Sequence, residues 1–224
     1  MFPALIKAFG QLVDPAIRRI VIQSAALALG VLILLAVAIW LAVAYFNIGS
    51  LPWLDSLIEI GTGLALVILS WLLFPAAVTA TIGVFLEKVA GAVEAAHYPG
   101  LPKPRQQTVS QSILSGAKLA AIALLLNVAA LPVYLAGLFF PPLYFLVFYG
   151  LNGYLLGREY FESVALRRLA APDVAALRRR YKRRVFAAGV IITFLLSVPF
   201  VNLIAPVVAT AFMLHLFEPM RRAA

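Results

Sequence analysis

Two adjacent arginines, Arg18 and Arg19, follow an Asp–Pro pair near the N-terminus and precede a long apolar segment. Asp before Pro is typical of a helix start, with Asp14 at the N-cap and Pro15 at the first helical position. The free amides and the dipole of a helix N-terminus attract anions, and nearby arginines add charge-assisted donors. Residues 16–19 are therefore a candidate oxyanion site. The alternative is a capped helix whose arginines anchor it among lipid headgroups, and the Asp14 carboxylate would compete for the same amides.

Three further polar residues border or interrupt apolar segments and could line a polar path. Arg158 and Glu159 follow the third apolar run, where either could reach a partner across a pore mouth. Asn202 lies between Pro199 and Pro206 in the middle of the fourth run. The simpler interpretations are an interfacial anchor for the charged pair and closure of a hairpin for the asparagine. We keep all three as candidate pathway residues.

The sequence offers little other chemistry. His97 and His215 are far apart and lack metal-ligand spacing, and the chain has no cysteine. No zinc-protease, serine-hydrolase or phosphate-loop motif occurs. The long apolar runs contain no Asp, Glu, Lys or Arg, whereas intramembrane enzymes and proton relays need ionisable groups there. We therefore expect no enzyme activity, no cofactor and no metal, which leaves a passive pore, a simple carrier or a scaffold.

The composition is that of an integral membrane protein. Of 224 residues, 64% are hydrophobic and 12% are charged, and a soluble domain of this size could not bury so much apolar surface. The net charge is +9. In a membrane chain this excess indicates the positive-inside bias rather than nucleic-acid binding, for which no recognition motif is present.

Charge-free runs divide the chain into four membrane segments, at residues 20–54, 60–86, 119–157 and 185–217. A hydrocarbon core of about 30 Å needs about 20 helical residues, so 20–46 and 60–86 are predicted to span it. The other two runs are long for one helix, short for two spans with a turn, and interrupted by prolines. Each arm of the last would have about 14 residues, or about 21 Å. We predict two broken hairpins that enter the membrane and return, with full crossing as the alternative, chiefly for 119–157.

The flanks of these runs set their orientation. Every flank is net positive except the short loop 47–59, and positive flanks favour the cytoplasm. Residues 1–13 carry apolar side chains at helical spacing and are predicted to form an interfacial helix. Residues 158–184 are predicted to form basic water-side helices, broken near Ala171, whose cations face solvent or hold anionic lipid.

Three segments together resemble the CysZ family of bacterial sulfate permeases, within a wider group that includes the etoposide-induced membrane proteins of the endoplasmic reticulum. They read "AFGQLVDPAIRRIVI", "LNGYLLGREYFE" and "SVPFVNLIAPVVATAFMLH". The resemblance covers nearly the whole chain, including the order and spacing of the apolar runs. The "PAIRR" and "PFVNLIAP" stretches are its most telling parts.

The resemblance implies an all-α polytopic protein with two long transmembrane helices and two partly penetrating hairpins, assembled as a homo-oligomer in the bacterial inner membrane. It also implies sulfate uptake for cysteine synthesis without ATP. The family's sulfate site is a Gly-hydrophobic-Arg stretch before the first long helix. Here that stretch is Ala16, Ile17 and Arg18, followed by Arg19, with alanine in place of glycine. Alanine keeps the amide but disfavours positive φ angles.

The sequence thus predicts a membrane permease for sulfate or a similar oxyanion, bound first at residues 16–19. The rival hypothesis is a scaffold that transports nothing and binds anionic lipid or a partner protein through its basic helix. Replacing Arg18 and Arg19 should abolish flux in a permease, whereas neutralising the basic residues from Arg178 to Arg184 should matter more in a scaffold.

Overall fold

The structure is a computed structural model that describes residues 1–15, 17–19, separate positions from 22 to 41, and residues 85–105, 109–199 and 201–224. Regular structure in this part of the chain is entirely helical, in agreement with the predicted all-α class. Contacts divide the chain into two units. One comprises Met1–Asp14 with Val89–Ala224, and the other is Pro15–Lys88.

In the Pro15–Lys88 unit, every described position from Pro15 to Leu41 is helical. Apolar side chains recur there at helical spacing and are exposed, at Ile22, Ile33, Leu34, Val37 and Leu41. An exposed apolar stripe is what a helix in lipid presents. The predicted span 20–46 is described only at these separate positions, and the predicted span 60–86 lies outside the described residues except for its last two.

The N-terminal helix α1, Phe2–Gly10, continues into a 3₁₀ turn at Gln11–Val13. Its apolar side chains are largely exposed, at Phe2, Ile6, Phe9 and Val13, whereas Ala8 and Gln11 are buried. A water-soluble helix shows the opposite arrangement. An exposed apolar face with small and polar residues packed inward suits a helix lying in a membrane interface.

Helices α2, Val109–Gly137, and α3, Pro141–Ala165, fold the third apolar run into a hairpin whose arms pack together. Near the turn, the Tyr134 and Tyr144 rings lie 5.4 Å apart. The arms are longer than the charge-free run because the helices continue into its polar flanks. Within α2, Leu114–Gly137 has 24 residues, is apolar enough to cross a membrane and has none of its apolar window buried. How deep the hairpin reaches remains a prediction.

The last three helices are α4, Ala171–Arg180, α5, Lys182–Ser197, and α6, Val201–Arg222. At 16 residues, α5 is about 24 Å long, too short to cross 30 Å of hydrocarbon alone. The predicted central break is confined to the stretch between α5 and α6, which includes Val198 and Pro199. Pro206 and Asn202 belong to α6 itself.

Glycines bring α3 and α5 into close contact. A Cβ atom on Gly157 would lie 2.5 Å from Val185 O, and one on Gly153 would lie 2.6 Å from Val190 Cγ2. Gly189 faces both, and its added Cβ would collide with Gly153 O and Gly157 N. Small residues permit this backbone approach, as between membrane helices generally. The α3–α5 pair then supports α6, which also contacts α1 and is buried at every residue from 207 to 218.

Candidate functional site

The predicted arginine pair lies at the start of a helix. Asp14 has extended backbone angles, φ −64° and ψ 124°, and Pro15 is helical, as expected of an N-cap and the first helical position. Arg18 and Arg19 are helical and exposed, whereas Ile17 is buried. Ala16 lies outside the described residues. The guanidinium groups are therefore accessible, and the sulfate-binding role of residues 16–19 remains a prediction.

Arg158 is held in an ion pair on its own helix. Its Nε donates to Glu162 Oε1 over 2.7 Å, and only 7% of the residue is exposed. Arg178 Nε approaches the same carboxylate oxygen at 3.5 Å from α4. This carboxylate therefore links α3 to α4, and an anion at Arg158 would have to compete with Glu162.

The remaining pathway candidates are exposed and do not meet Arg158. Glu159 is exposed on α3, and Asn202 is exposed in the first turn of α6. Gly157, next to Arg158, packs against Val185 near the start of α5, whereas Asn202 follows the end of α5, about 24 Å further along. Arg158 and Glu159 thus lie near the start of α5, whereas Asn202 lies beyond its end.

A partly buried polar cluster joins residues that are far apart in the sequence, with Gln11 and His215 buried and His97 exposed. Gln11 Nε2 lies 2.7 Å from His215 Nε2 and 3.3 Å from His97 Nδ1, and Tyr98 Oη lies 2.8 Å from His215 Nδ1. The two imidazole rings are 5.1 Å apart at their centres. The two histidines, far apart in the sequence, are therefore neighbours in the fold. Within the described residues, no group of three or more His, Cys, Asp or Glu side chains is placed to hold a metal ion.

Beside this cluster lies a cavity of about 300 Å³ whose lining includes two cations. Lys7 lines it from α1 and Arg184 from α5, together with Tyr98 and His215. Burial raises the pKa of the Tyr98 hydroxyl, the Glu218 carboxylate adds to the rise, and Arg222 opposes it. The hydroxyl therefore stays protonated at neutral pH and can donate a hydrogen bond. Two cations and a donor suit an oxyanion.

Sequence reasoning missed this cavity because its residues are spread over the chain. One local signal was present: Lys7 and Gln11 are four residues apart and so share a face of the N-terminal helix. That face is opposite the exposed apolar one. The arrival of Tyr98, Arg184 and His215 at it depends on the packing of other elements.

A second charged cluster is structural. The Glu94 carboxylate accepts from Arg167 Nη2 at 3.0 Å and pairs with Arg168 Nη2 at 2.5 Å, and all three side chains are buried. Arg168 also donates to Pro102 O, and Arg105 N donates to Arg167 O at 2.9 Å. The cluster ties the segment after residue 97 to the end of α3.

The basic segment is thus divided between internal and external roles. Arg158, Arg167, Arg168 and Arg178 pair with carboxylates, which corrects the view that the whole segment faces solvent or lipid. Five cations are exposed, at Arg179, Arg180, Lys182, Arg183 and Arg184. This is a dense positive surface at the start of α5.

Comparison with known proteins places the chain in a family. No curated protein matches the chain. One family model matches residues 4–206, which is most of the sequence and includes the arginine pair, the first hairpin, the basic segment and the second hairpin as far as Pro206. Its description is that of a transporter family, which agrees with the apolar composition and with a membrane location. The chain belongs to the sulfate transporter CysZ/etoposide-induced protein 2.4 family.

Proposed function

We propose that this protein is a bacterial inner-membrane permease for sulfate or a similar oxyanion, acting without ATP and supplying sulfate for cysteine synthesis. Membership of a sulfate-transporter family carries the proposal. The exposure of Arg18 and Arg19 at a helix start supports their assignment as the entry site. The two guanidinium groups recruit the anion, and the amides at Ala16 and Ile17 help to hold it.

The pathway beyond the entry site must compensate for lost hydration. A dianion is costly to transfer from water, and polar side chains are sparse on the apolar helices. In the α2–α3 hairpin, Asn127 and Asn152 donate to carbonyls on their own helices, Ala123 O and Phe148 O. We therefore propose a water-filled path in a homo-oligomer, lined partly by backbone groups, with Glu159 and Asn202 as candidate lining residues.

Uptake of labelled sulfate into liposomes tests the permease directly. Wild-type protein should give saturable uptake, and Arg18→Ala/Arg19→Ala should remove most of it while assembling normally. Arg179→Ala/Arg183→Ala is the matched control, because it also removes two exposed cations but leaves the entry site intact. Uptake no higher than in empty liposomes, across a range of pH values and gradients, would reject the permease. Equal uptake by both double variants would reject the entry site.

A scaffold that binds anionic lipid or a partner protein is the second candidate. The exposed cations from Arg179 to Arg184 favour it, since such a surface attracts anionic membranes whether or not anything is transported. In that case the Arg179→Ala/Arg183→Ala control would be the damaging variant, measured as loss of binding to anionic vesicles, and the Arg18 and Arg19 variant would bind normally.

A further inference from the structure

The cationic cavity adjoins an apolar groove between α1 and α5. The groove has a volume of about 390 Å³ and shares Met1 with the cavity. Phe2 and Leu5 line it from α1, and Phe186, Val190 and Ile191 line it from α5. Lys7 and Arg184, on the same two helices, line the cavity. A cavity that holds two cations and is walled largely by α1 and α6 thus adjoins an apolar groove lined by α1 and α5.

Hydrogen bonding behind the cavity prepares a donor. Gln11 Nε2 can only donate, so the His215 Nε2 that it contacts is the acceptor and the neutral ring carries its proton on Nδ1. That Nδ1 donates to Tyr98 Oη, which frees the phenolic proton for a ligand in the cavity. We assign this amide orientation because rotation would bury two unpartnered N–H groups in place of the unpartnered Gln11 Oε1.

The surroundings indicate where this double compartment lies. The apolar side chains of α1, including Phe2 at 78% and Ile6 at 69% exposure, face outward beside the groove. The exposed cations of α5 begin at the same end. Exposed apolar side chains next to exposed cations are typical of a protein surface at the membrane interface, where lipid phosphates lie above their acyl chains.

We propose that the α1–α5 groove binds one anionic phospholipid, with its phosphate between Lys7 and Arg184 and the start of an acyl chain against Phe2, Phe186 and Val190. The Tyr98 hydroxyl donates to the phosphate. A free oxyanion would use the cavity but not the apolar groove beside it. A zwitterionic lipid would bring its own ammonium towards two cations, so an anionic headgroup is preferred. This proposal does not depend on sulfate transport.

Native mass spectrometry of delipidated protein tests the headgroup site. We expect dioleoyl phosphatidylglycerol to bind more tightly than phosphatidylcholine with the same acyl chains. Lys7→Gln/Arg184→Gln should weaken phosphatidylglycerol binding by roughly 30-fold, at about a factor of five or six for each cation. Lys182→Gln/Arg183→Gln is the matched control, since both residues are exposed on the same helix and neither lines the cavity. An equal loss in both double variants would overturn the site in favour of diffuse attraction.

The groove and the identity of the anion are tested separately. Phe2→Ser/Phe186→Ser should weaken the binding of both lipids. Both side chains are exposed, and in the proposed site they contact the acyl chain rather than the headgroup. Tyr98→Phe should weaken the binding of phosphatidylglycerol by a few-fold, with folding intact. Sodium sulfate should displace phosphatidylglycerol no better than sodium chloride of equal ionic strength. Selective displacement by sulfate would overturn the lipid assignment and make the cavity a free-oxyanion site. Sulfate uptake in the same variants shows whether transport is affected independently.

Discussion

The two hairpins have similar residue types and different structures. Both derive from charge-free runs that combine aliphatic residues, asparagine and proline, yet α2–α3 has arms of 29 and 25 residues whereas α5 has 16. The apolar window of α2 is unburied, and α6 is buried at every residue from 207 to 218. Apolar composition alone therefore does not distinguish a helix that faces lipid or another copy from one that forms the core of its own chain.

Cysteine labelling should give the largest contrast between the hairpins, because the native chain has no cysteine. Phe139→Cys, at the 92% exposed turn of α2–α3, should react from the membrane side opposite the basic segment, since both arms exceed the length needed to cross. Val198→Cys, at the end of the shorter α5, should not. The measurement is labelling of intact cells and inverted vesicles with a membrane-impermeant maleimide, with Arg180→Cys marking the basic side. If Phe139→Cys is unreactive from both sides, the first hairpin also penetrates only partly.

Removing a phenylalanine ring should destabilise the protein strongly when the ring is in the second hairpin and very little when it is at the turn of the first. Phe212 on α6 is fully buried, and Phe212→Ala should cost roughly 3 kcal/mol through lost contacts and the cavity left behind. For a chain of this size that lowers the unfolding midpoint by about 6–12 °C. Phe139→Ala removes the same atoms from an exposed site and should change it little. Circular dichroism melts in detergent measure both, and similar shifts would mean that Phe139 is covered in the assembly.

The glycine contact between α3 and α5 should distinguish close packing from helix propensity. Gly189→Ala places a methyl group against the Gly153 and Gly157 backbones and should cost about 1–3 kcal/mol. Gly150→Ala, on α3 with nothing within 4 Å of the added Cβ, should raise stability by about 0.5–1 kcal/mol. Thermal unfolding of both variants gives the comparison. A neutral Gly189→Ala would show that the helices separate without cost.

Local sequence signals anticipated features that depend on a few consecutive residues. The helix start at Asp14–Pro15 and the break between helices near Ala171 were both predicted. Each follows from the backbone geometry that a proline imposes on its neighbours. The helical class follows from apolar run length, because a helix satisfies its own backbone groups in lipid. Positions of turns were less accurate: α6 continues through Pro206, which the sequence analysis placed in the break.

Pairing between distant residues could not be anticipated in the same way. Glu94 pairs with Arg167 and Arg168, which follow α3, and His97 contacts His215 on α6. Both contacts depend on tertiary packing. Nothing in the spacing of these residues distinguishes a buried pair from two solvated charges. The basic segment consequently looked uniform in sequence, although four of its arginines pair with carboxylates.

The sequence alone determined that this is a helical membrane protein of a sulfate-transporter family, with an arginine pair at a helix start, because composition, run length and local capping act over short stretches. Tertiary structure decided which apolar helix is core, which cations remain exposed, and that Lys7, Tyr98, Arg184 and His215 surround one cavity. Those outcomes depend on the close approach of α3 and α5 at their glycines. They also depend on how α6 packs against this pair and against α1. Such contacts join residues up to about 200 positions apart, as Gln11 and His215 are, and no local pattern encodes them.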